Sequence, residues 1–297
     1  MIKHIDIFST VYVENIAREL ERIIISCGIT TSINIRMLNN EDINLCSSDT
    51  SRYLFLLCPQ WVYNDKLIPL PDKKYFIYQL EQFDKSESPQ VFNSFVFYIM
   101  RHASHIFDYS NVNLTYYGNK IQIPLHKTSK LLPPIVSIPY DNISVNKDID
   151  VLFCGCISER RRNIINSLIN SGINVTIVSN IVGIHLSNII KRAKIFLNIR
   201  YTDSIILETC RLHEAIKSND TYIISELPGS TLDSTDIYND RIHFVNTIGT
   251  DGNTDLIKLT RKLLDLANNG MNCNNIFNDI EISTDIKNSL TKIFNIN

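Results

Sequence analysis

Between Leu207 and Glu226 the chain reads LETCRLHEAIKSNDTYIISE, which gathers Glu208, Arg211, His213, Glu214 and Glu226 around one helix-to-strand step. A buried connection of that kind needs only apolar residues, because an ionisable group taken out of water costs free energy unless something pairs with it. A ligand bound at the edge of a sheet is the sharpest reason for placing so many there. Glu208 and Arg211 are three residues apart, the spacing of a helix-surface ion pair. Glu208 and Glu214, six apart, face different sides of a continuous helix, so both reach one ligand only if Glu208 stands at the helix entrance.

A second group lies upstream in GCISERRR, Gly155 to Arg162. Ser158 is a helix-capping residue, and the unpaired N–H groups of a first helical turn favour an anion. Arg160, Arg161 and Arg162 offer forked donors suited to a diphosphate. Basic residues ordinarily gather at helix C-termini, so three at this end ask for a reason other than the helix dipole. Farther on, KIFLNIRY brings Asn198, Arg200 and Tyr201 to the end of a strand. Arg200 or Tyr201 there either faces a base or a sugar, or Arg200 pairs with Glu208. Asp148 and Asp150 have the spacing of a metal-binding D-x-D, but they lead directly into a buried strand, and fixing the start of that strand is the simpler reading.

The elements that must position these groups alternate. In the first half, strands are predicted at His4–Ser9, Thr31–Met37, Arg52–Cys58, Tyr75–Leu80, Ser104–Phe107 and Ile121–Leu125, with helices at Glu14–Ser26 and Pro89–His102. In the second half, strands are predicted at Asp150–Cys154, Asn174–Ser179, Lys194–Arg200, Thr221–Ser225 and Ile242–Asn246. Helices there are Glu159–Ser171, Gly183–Arg192, Leu207–Ser218, closed by Asn219 in left-handed geometry, then Thr254–Asn268 and Ser283–Phe294. Alternation at this spacing predicts α/β architecture, two Rossmann-like doubly wound domains whose ligands lie beyond the carboxyl ends of the strands. The Pro-rich stretch from Pro124 to Pro139, running on to about Lys147, marks the boundary: residues 1–140 form one domain, 148–282 a second, and 283–297 a last helix.

The 207–226 segment resembles the donor-binding segment of GT-B glycosyltransferases, in which a helix with a Glu-Ala pair turns into a strand ending in Ser. Here the pair is Glu214-Ala215, the turn residue Asn219 and the strand-end residue Ser225, at the family's spacing. DIDVLFCG…ERRR, YQLEQ at Tyr78–Gln82 and FDYS at Phe107–Ser110 are similar to segments of the same group, of the 1/4-like kind found in bacteria and large DNA viruses. The resemblance implies two domains facing a cleft, with the last helix packed back on the first domain. It implies a nucleotide-sugar donor as co-substrate, with Glu214 on the ribose and Gly155, Arg160, Arg162, Tyr201, Ser225 and Glu226 around the donor. Arg161, Arg211 and Glu208 would act at the diphosphate, and His105 (or His102) as base toward an acceptor hydroxyl. The family's usual Gly and Pro in the turn are Asn219 and Thr221 here. Its second Glu would fall on Ile206, with Glu208 the nearest acid, so the retaining outcome implied by Glu-Ala stays open.

Composition narrows the classes. With 297 residues, 44% hydrophobic and 20% charged, the chain can bury two cores. A net charge of −2 provides no footprint for nucleic acid or an anionic membrane. No run reaches the ~20 apolar residues of a membrane span, and MIKHIDIFST lacks the apolar core of a signal peptide. Seven scattered cysteines fit buried, reduced thiols. These features predict a soluble, cytoplasmic protein. G-x-G-x-x-G, P-loop, G-x-S-x-G and H-E-x-x-H patterns are missing, against dehydrogenase, NTPase, hydrolase and zinc-protease readings. The reading is a transferase that needs neither metal nor other cofactor and acts on a glycan, lipid-linked or protein acceptor. A non-catalytic nucleotide-sugar or glycan binder, a scaffold and a nucleotide-sugar isomerase are the alternatives.

Overall fold

The computed structural model describes residues 4–37, 43, 52–62, 74–83, 94–136, 145–218, 220–247, 252–271, 273, 277 and 279–294. The expected turn residue Asn219 and residues 137–144 of the expected boundary stretch lie outside them. The chain divides into two compact units, Met1–Pro134 with Asp279–Asn297, and Ile135–Asn278.

The first unit contains a parallel sheet of β1 (His4–Ser9), β2 (Ile33–Met37), β3 (Arg52–Leu57), β4 (Tyr75–Gln79), β5 (His105–Asp108) and β6 (Thr128–Lys130), in the order β2-β1-β3-β4-β5-β6. The order reverses between β1 and β3. β4 is buried along its whole length, as expected of a strand covered on both faces. Helices α1 (Glu14–Ser26), α2 (Ser94–His102) and α3 (Asn111–Tyr116) follow their strands, and α1 buries Ile16, Ala17, Leu20 and Ile24. The last helix, Ile280–Ile293, belongs to this unit and touches α1. Phe294 beyond it meets the rings of Tyr53 and Phe76 edge-on.

The strand expected at Ile121–Leu125 is absent. Tyr117–Ile121 forms a π-helical turn closed by Gln122 at φ 59°, and Leu125–Lys127 a 3₁₀ turn. Pro124 between them lacks the N–H a ladder requires. The pairing passes instead to the short β6.

The second unit holds β7 (Ile149–Cys154), β8 (Val175–Val178), β9 (Ala193–Asn198), β10 (Tyr222–Glu226) and β11 (Ile242–Val245), parallel and ordered β11-β10-β9-β7-β8. Its helices are α4 (Glu159–Asn170), α5 (Gly183–Arg192), α6 (Thr209–Ala215) and α7 (Gly252–Asn268). The reversal here lies between β7 and β9. α6 is shorter than the periodicity predicts, beginning only after Glu208. Asp148 pairs with Arg192 at 2.5 Å and Asp150 with Lys194 at 2.6 Å, so both carboxylates of the D-x-D spacing fasten the amino end of the sheet.

His105 opens β5 at the amino end of the sheet, the edge opposite the one where open α/β sheets bind ligands. Its Nε2 meets Ser129 Oγ at 2.8 Å, and its ring packs on Phe107. Burial, helped by His126 and Lys292, lowers its pKa to about 4. The structure therefore places His105 at the end of the sheet away from its carboxyl edge and packs it between Ser129 and Phe107. Neutral when folded yet protonated near pH 6.5 when unfolded, it favours unfolding as pH falls from about 6.5 to about 4. We expect His105→Gln to flatten the loss of stability across that window, as read by urea unfolding at pH 7, 6 and 5. His243, also lowered by burial, would keep its own share. An unchanged slope would refute that expectation. His102, exposed at the end of α2, bonds only the Tyr98 carbonyl among the contacts described.

Candidate functional site in the second unit

The strand order reverses between β7 and β9, and in open α/β sheets ligands bind beyond the carboxyl ends of the strands at such a reversal. After β7 the chain turns at Gly155, whose φ of +135° is strained for any residue with a side chain. A Cβ there would lie 3.0 Å from Arg211 Nη2 and 3.5 Å from Arg161 Nη1, so glycine is what lets both guanidinium groups close on the backbone. Ser158 caps α4 by accepting from Arg161 N, as its type predicted, and donates to Tyr201 O at 2.6 Å.

Arg161 is 2% exposed at its side chain. Its Nε donates to Ile199 O at 2.9 Å, its Nη1 to Cys156 O at 2.8 Å and its Nη2 to both oxygens of Glu208 at 2.7 and 3.0 Å. The guanidinium also stands between the rings of Phe153 and Tyr201, 5.2 and 5.1 Å from their centroids. Burial lowers its pKa to about 10 against the pull of Glu208, and it remains a cation at neutral pH. Its donors are thus turned toward Ile199 O, Cys156 O and Glu208. Arg211 is different. It pairs with Glu208 at 2.5 Å and reaches Ile199 O only at 3.4 Å, and its side chain is 22% exposed. Glu208 stands at the helix entrance, just before α6, and also accepts from Tyr201 N at 2.8 Å. One carboxylate therefore holds two cations and a backbone N–H.

A second network adjoins the first. Glu226 is 2% exposed and accepts from Arg160 Nη1 and Nη2 at 3.0 and 2.5 Å, Arg200 N at 2.5 Å and the Thr247 hydroxyl. Burial alone would raise its pKa, but Arg160, Thr247 and Arg200 outweigh it and hold the carboxyl below its ordinary value. Arg160 also donates to Asp203 and to Arg200 O. Arg160 and Glu226 tie the ends of α4, β9 and β10 together, and of the readings left open for Arg200 the structure has it pair with Glu226 in place of Glu208. Arg162 is exposed and stands apart from both networks, because the helical step that buries Arg161 turns its neighbour outward.

Glu214, on α6, is 8% exposed, and it helps raise the pKa of Cys154, which burial pushes to about 12. His213 is fully buried against the Tyr238 hydroxyl at 2.7 Å. Ser225 accepts from Asn198 Nδ2 at 3.0 Å, while Asn198 Oδ1 at the end of β9 is buried with no hydrogen-bond partner. The Tyr201 ring is half exposed. Sequence reasoning underrated Asn198, although a polar residue ending an apolar strand was the available signal. Among the described cysteines, Cys58, Cys154 and Cys273 are buried, but Cys156 is exposed. No group of three or more metal-ligating side chains occurs among the described residues.

No family model matches the sequence, and no curated protein does. Solved structures match along nearly the whole chain. Anabaena HepE, in complex with UDP and glucose, has a TM-score of 0.61 at 7% identity, covering 98% of this chain and 100% of its own. T4 phage BGT, in complex with UDP and Mn²⁺, has a TM-score of 0.58 at 14% identity, covering 99% and 100%. The fold is GT-B. UDP-GlcNAc 2-epimerase from Neisseria meningitidis, bound to UDP-GlcNAc, shares it at a TM-score of 0.50 and 11% identity, covering 98% and 100%. The GT-B fold therefore carries more than one chemistry among these neighbours, and the choice for this chain rests on its own residues. No helix among the described residues is long and apolar enough to cross a membrane.

Proposed function

We propose that this GT-B chain is a glycosyltransferase that moves a sugar from a nucleoside-diphosphate donor to an acceptor hydroxyl, with the donor held by the second unit. The observation that carries this reading is the pair of guanidinium groups at the β7/β9 reversal, Arg161 and Arg211, both bound to Glu208 beside Gly155. Negative charge grows on the diphosphate as the glycosidic bond breaks, and a fixed cation stabilises that charge without reorganising. Arg211, the more exposed of the two, contacts the diphosphate. Arg161 and Glu208 hold it in place. Glu214 takes the ribose hydroxyls, the backbone at Gly155 approaches the phosphates, and Tyr201, Asn198 and Ser225 border the sugar or base. Arg160 and Glu226 keep the strand ends in register.

In this reading the arginines supply the charge stabilisation, so transfer needs no metal, and the Glu-Ala helix favours retention of configuration. The first unit presents the acceptor, a glycan, a lipid-linked sugar or a protein. The domains of the reaction run 1–140 and 148–282, with the terminal helix returning to the first.

The test is thermal unfolding with UDP, GDP, dTDP, ADP and CMP sugars, alongside Glu214→Ala. At 100 times its Kd a true donor adds about 2.7 kcal/mol of stability. We expect one nucleotide to stabilise the wild type and Glu214→Ala to lose that response. If no nucleotide shifts the wild type, the transferase reading fails. The similarity to an epimerase of a nucleotide-sugar favours one second reading, conversion of the donor alone. Finding an isomerised sugar after incubation without acceptor would select it, and binding with neither transfer nor conversion would mark a non-catalytic binder.

A further inference from the structure

Six side-chain atoms among the described residues are buried without a hydrogen-bond partner, and each lies at the carboxyl end of a strand or within three residues beyond it. Asn198 Oδ1 belongs to the site above. The other five are Ser9 Oγ, Thr10 Oγ1, both amide atoms of Gln60, and Gln79 Nε2, all in the first unit. Ser9 ends β1 and Thr10 follows it, Gln60 follows β3, and Gln79 ends β4, three strands that are neighbours in the sheet. Between β1 and β3 lies this sheet's own reversal, where an open α/β sheet offers a crevice.

A buried polar atom without a partner costs about 1–3 kcal/mol, and native proteins leave few of them. Five of them gather along one edge, and among the described residues of this unit no other buried side-chain nitrogen or oxygen lacks a partner. Asp108, the next position along the edge beside Gln79, shows the contrast. It accepts from Ser110 N at 2.8 Å, Asn113 Nδ2 at 3.0 Å and the Tyr117 hydroxyl. Gln60 approaches the Cys58 thiol closely enough to favour its thiolate, a weak partner at most, and neither amide atom has a nitrogen or oxygen partner.

We propose that Ser9, Thr10, Gln60 and Gln79 form a binding site for an uncharged, hydroxyl-rich ligand, a neutral carbohydrate. The chemistry selects the class. Two hydroxyls and an amide N–H and C=O pair donate and accept alike, as sugar hydroxyls do, and none carries charge. The carboxylates that act on this edge, Glu81 and Asp108, both raise the Cys58 thiol pKa beyond what its burial does, so the local field opposes an anion such as a sugar phosphate. As the seat of the acceptor the site rests on the transferase reading. As a binding site it stands apart from it.

The test is isothermal calorimetry without nucleotide, using methyl glucosides, methyl galactosides, methyl N-acetylglucosaminides and glucose 6-phosphate, on wild type, Gln60→Met and Gln79→Met. We expect at least one neutral glycoside to bind, glucose 6-phosphate to bind at least tenfold more weakly than its neutral counterpart, and each variant to lose tenfold or more in affinity. The variants should also melt higher than wild type, because each removes an orphaned polar atom without changing side-chain volume greatly. Higher melting with glycoside affinity retained would mean a hydrated structural edge only and overturn the proposal, as would no binding by any glycoside. A nucleotide response without a glycoside response sinks this site and spares the transferase reading. The reverse pattern spares this site alone.

Discussion

Glu226→Ala is expected to cost the second unit about 3–5 kcal/mol, the largest loss of stability of any single change at the site. The reason is what it leaves behind. Arg200, 2% exposed at its side chain, and Arg160, 17% exposed, would remain in the interior with their shared carboxylate gone. Breaking a buried pair costs more than the pair contributes, because the surviving charge keeps its desolvation penalty. Glu226→Gln retains an acceptor oxygen for Arg200 N and should fall between. Thermal and urea unfolding measure both. A loss below about 1 kcal/mol for Glu226→Ala would show the pair to be hydrated and the network unimportant. The pH dependence supplies a second check. The folded-state pKa of Glu226 lies below its ordinary value, since the arginine and threonine bonds overcome burial. Its stabilisation is therefore present above the unfolded carboxyl pKa and is lost as pH falls through the folded value. Glu226→Gln should lose that part of the acid dependence below about pH 4.

Arg211→Ala should do the opposite, leaving stability nearly intact while removing activity. Its ion pair with Glu208 is partly exposed, and Glu208 keeps Arg161 as a partner, so the stability cost should stay within about 1 kcal/mol. Removing one preorganised donor from a site of developing charge typically lowers kcat by about 10²–10³. We expect a loss of that size in transfer from the nucleotide-sugar that stabilises the wild type, with Arg211→Lys recovering only part of it, since an ammonium lacks the guanidinium fork. Steady-state kinetics and melting temperatures on the same samples decide the matter. Full activity in Arg211→Ala would remove this residue from the diphosphate site. A melting temperature that collapses with activity would make it structural.

In the first unit YQLEQ and FDYS were legible as family-like segments, but what joins them is Asn113. Its amide accepts from Phe83 N at 2.9 Å and donates to Glu81 O at 2.7 Å and to Asp108. No periodic signal marks an asparagine in a six-residue helix. Asp6 is a similar case: a carboxylate inside an apolar strand, buried, and paired with Arg36 and Arg52 from the strands on either side. Each partner is 30 or more residues away in sequence, and only the sheet brings them together.

What the sequence determined by itself was the alternation of elements, and so the fold class. α1 and α5 run as periodicity places them, and the strand cores lie within two residues of expectation at most positions, because burial on both faces leaves a continuous apolar run in the chain. It also determined which segments follow the strands, and hence where polar groups deserved attention. Tertiary structure alone decided which of those groups meet. Of three consecutive arginines, one is buried against Glu208, one is tied to Glu226 and one faces water. Their partners lie 47 and 66 residues downstream, on elements whose neighbours are set by sheet order. Local sequence sets each residue's direction on its own helix or strand. Charge pairing between elements follows from the sheet order and register that packing the whole chain selects.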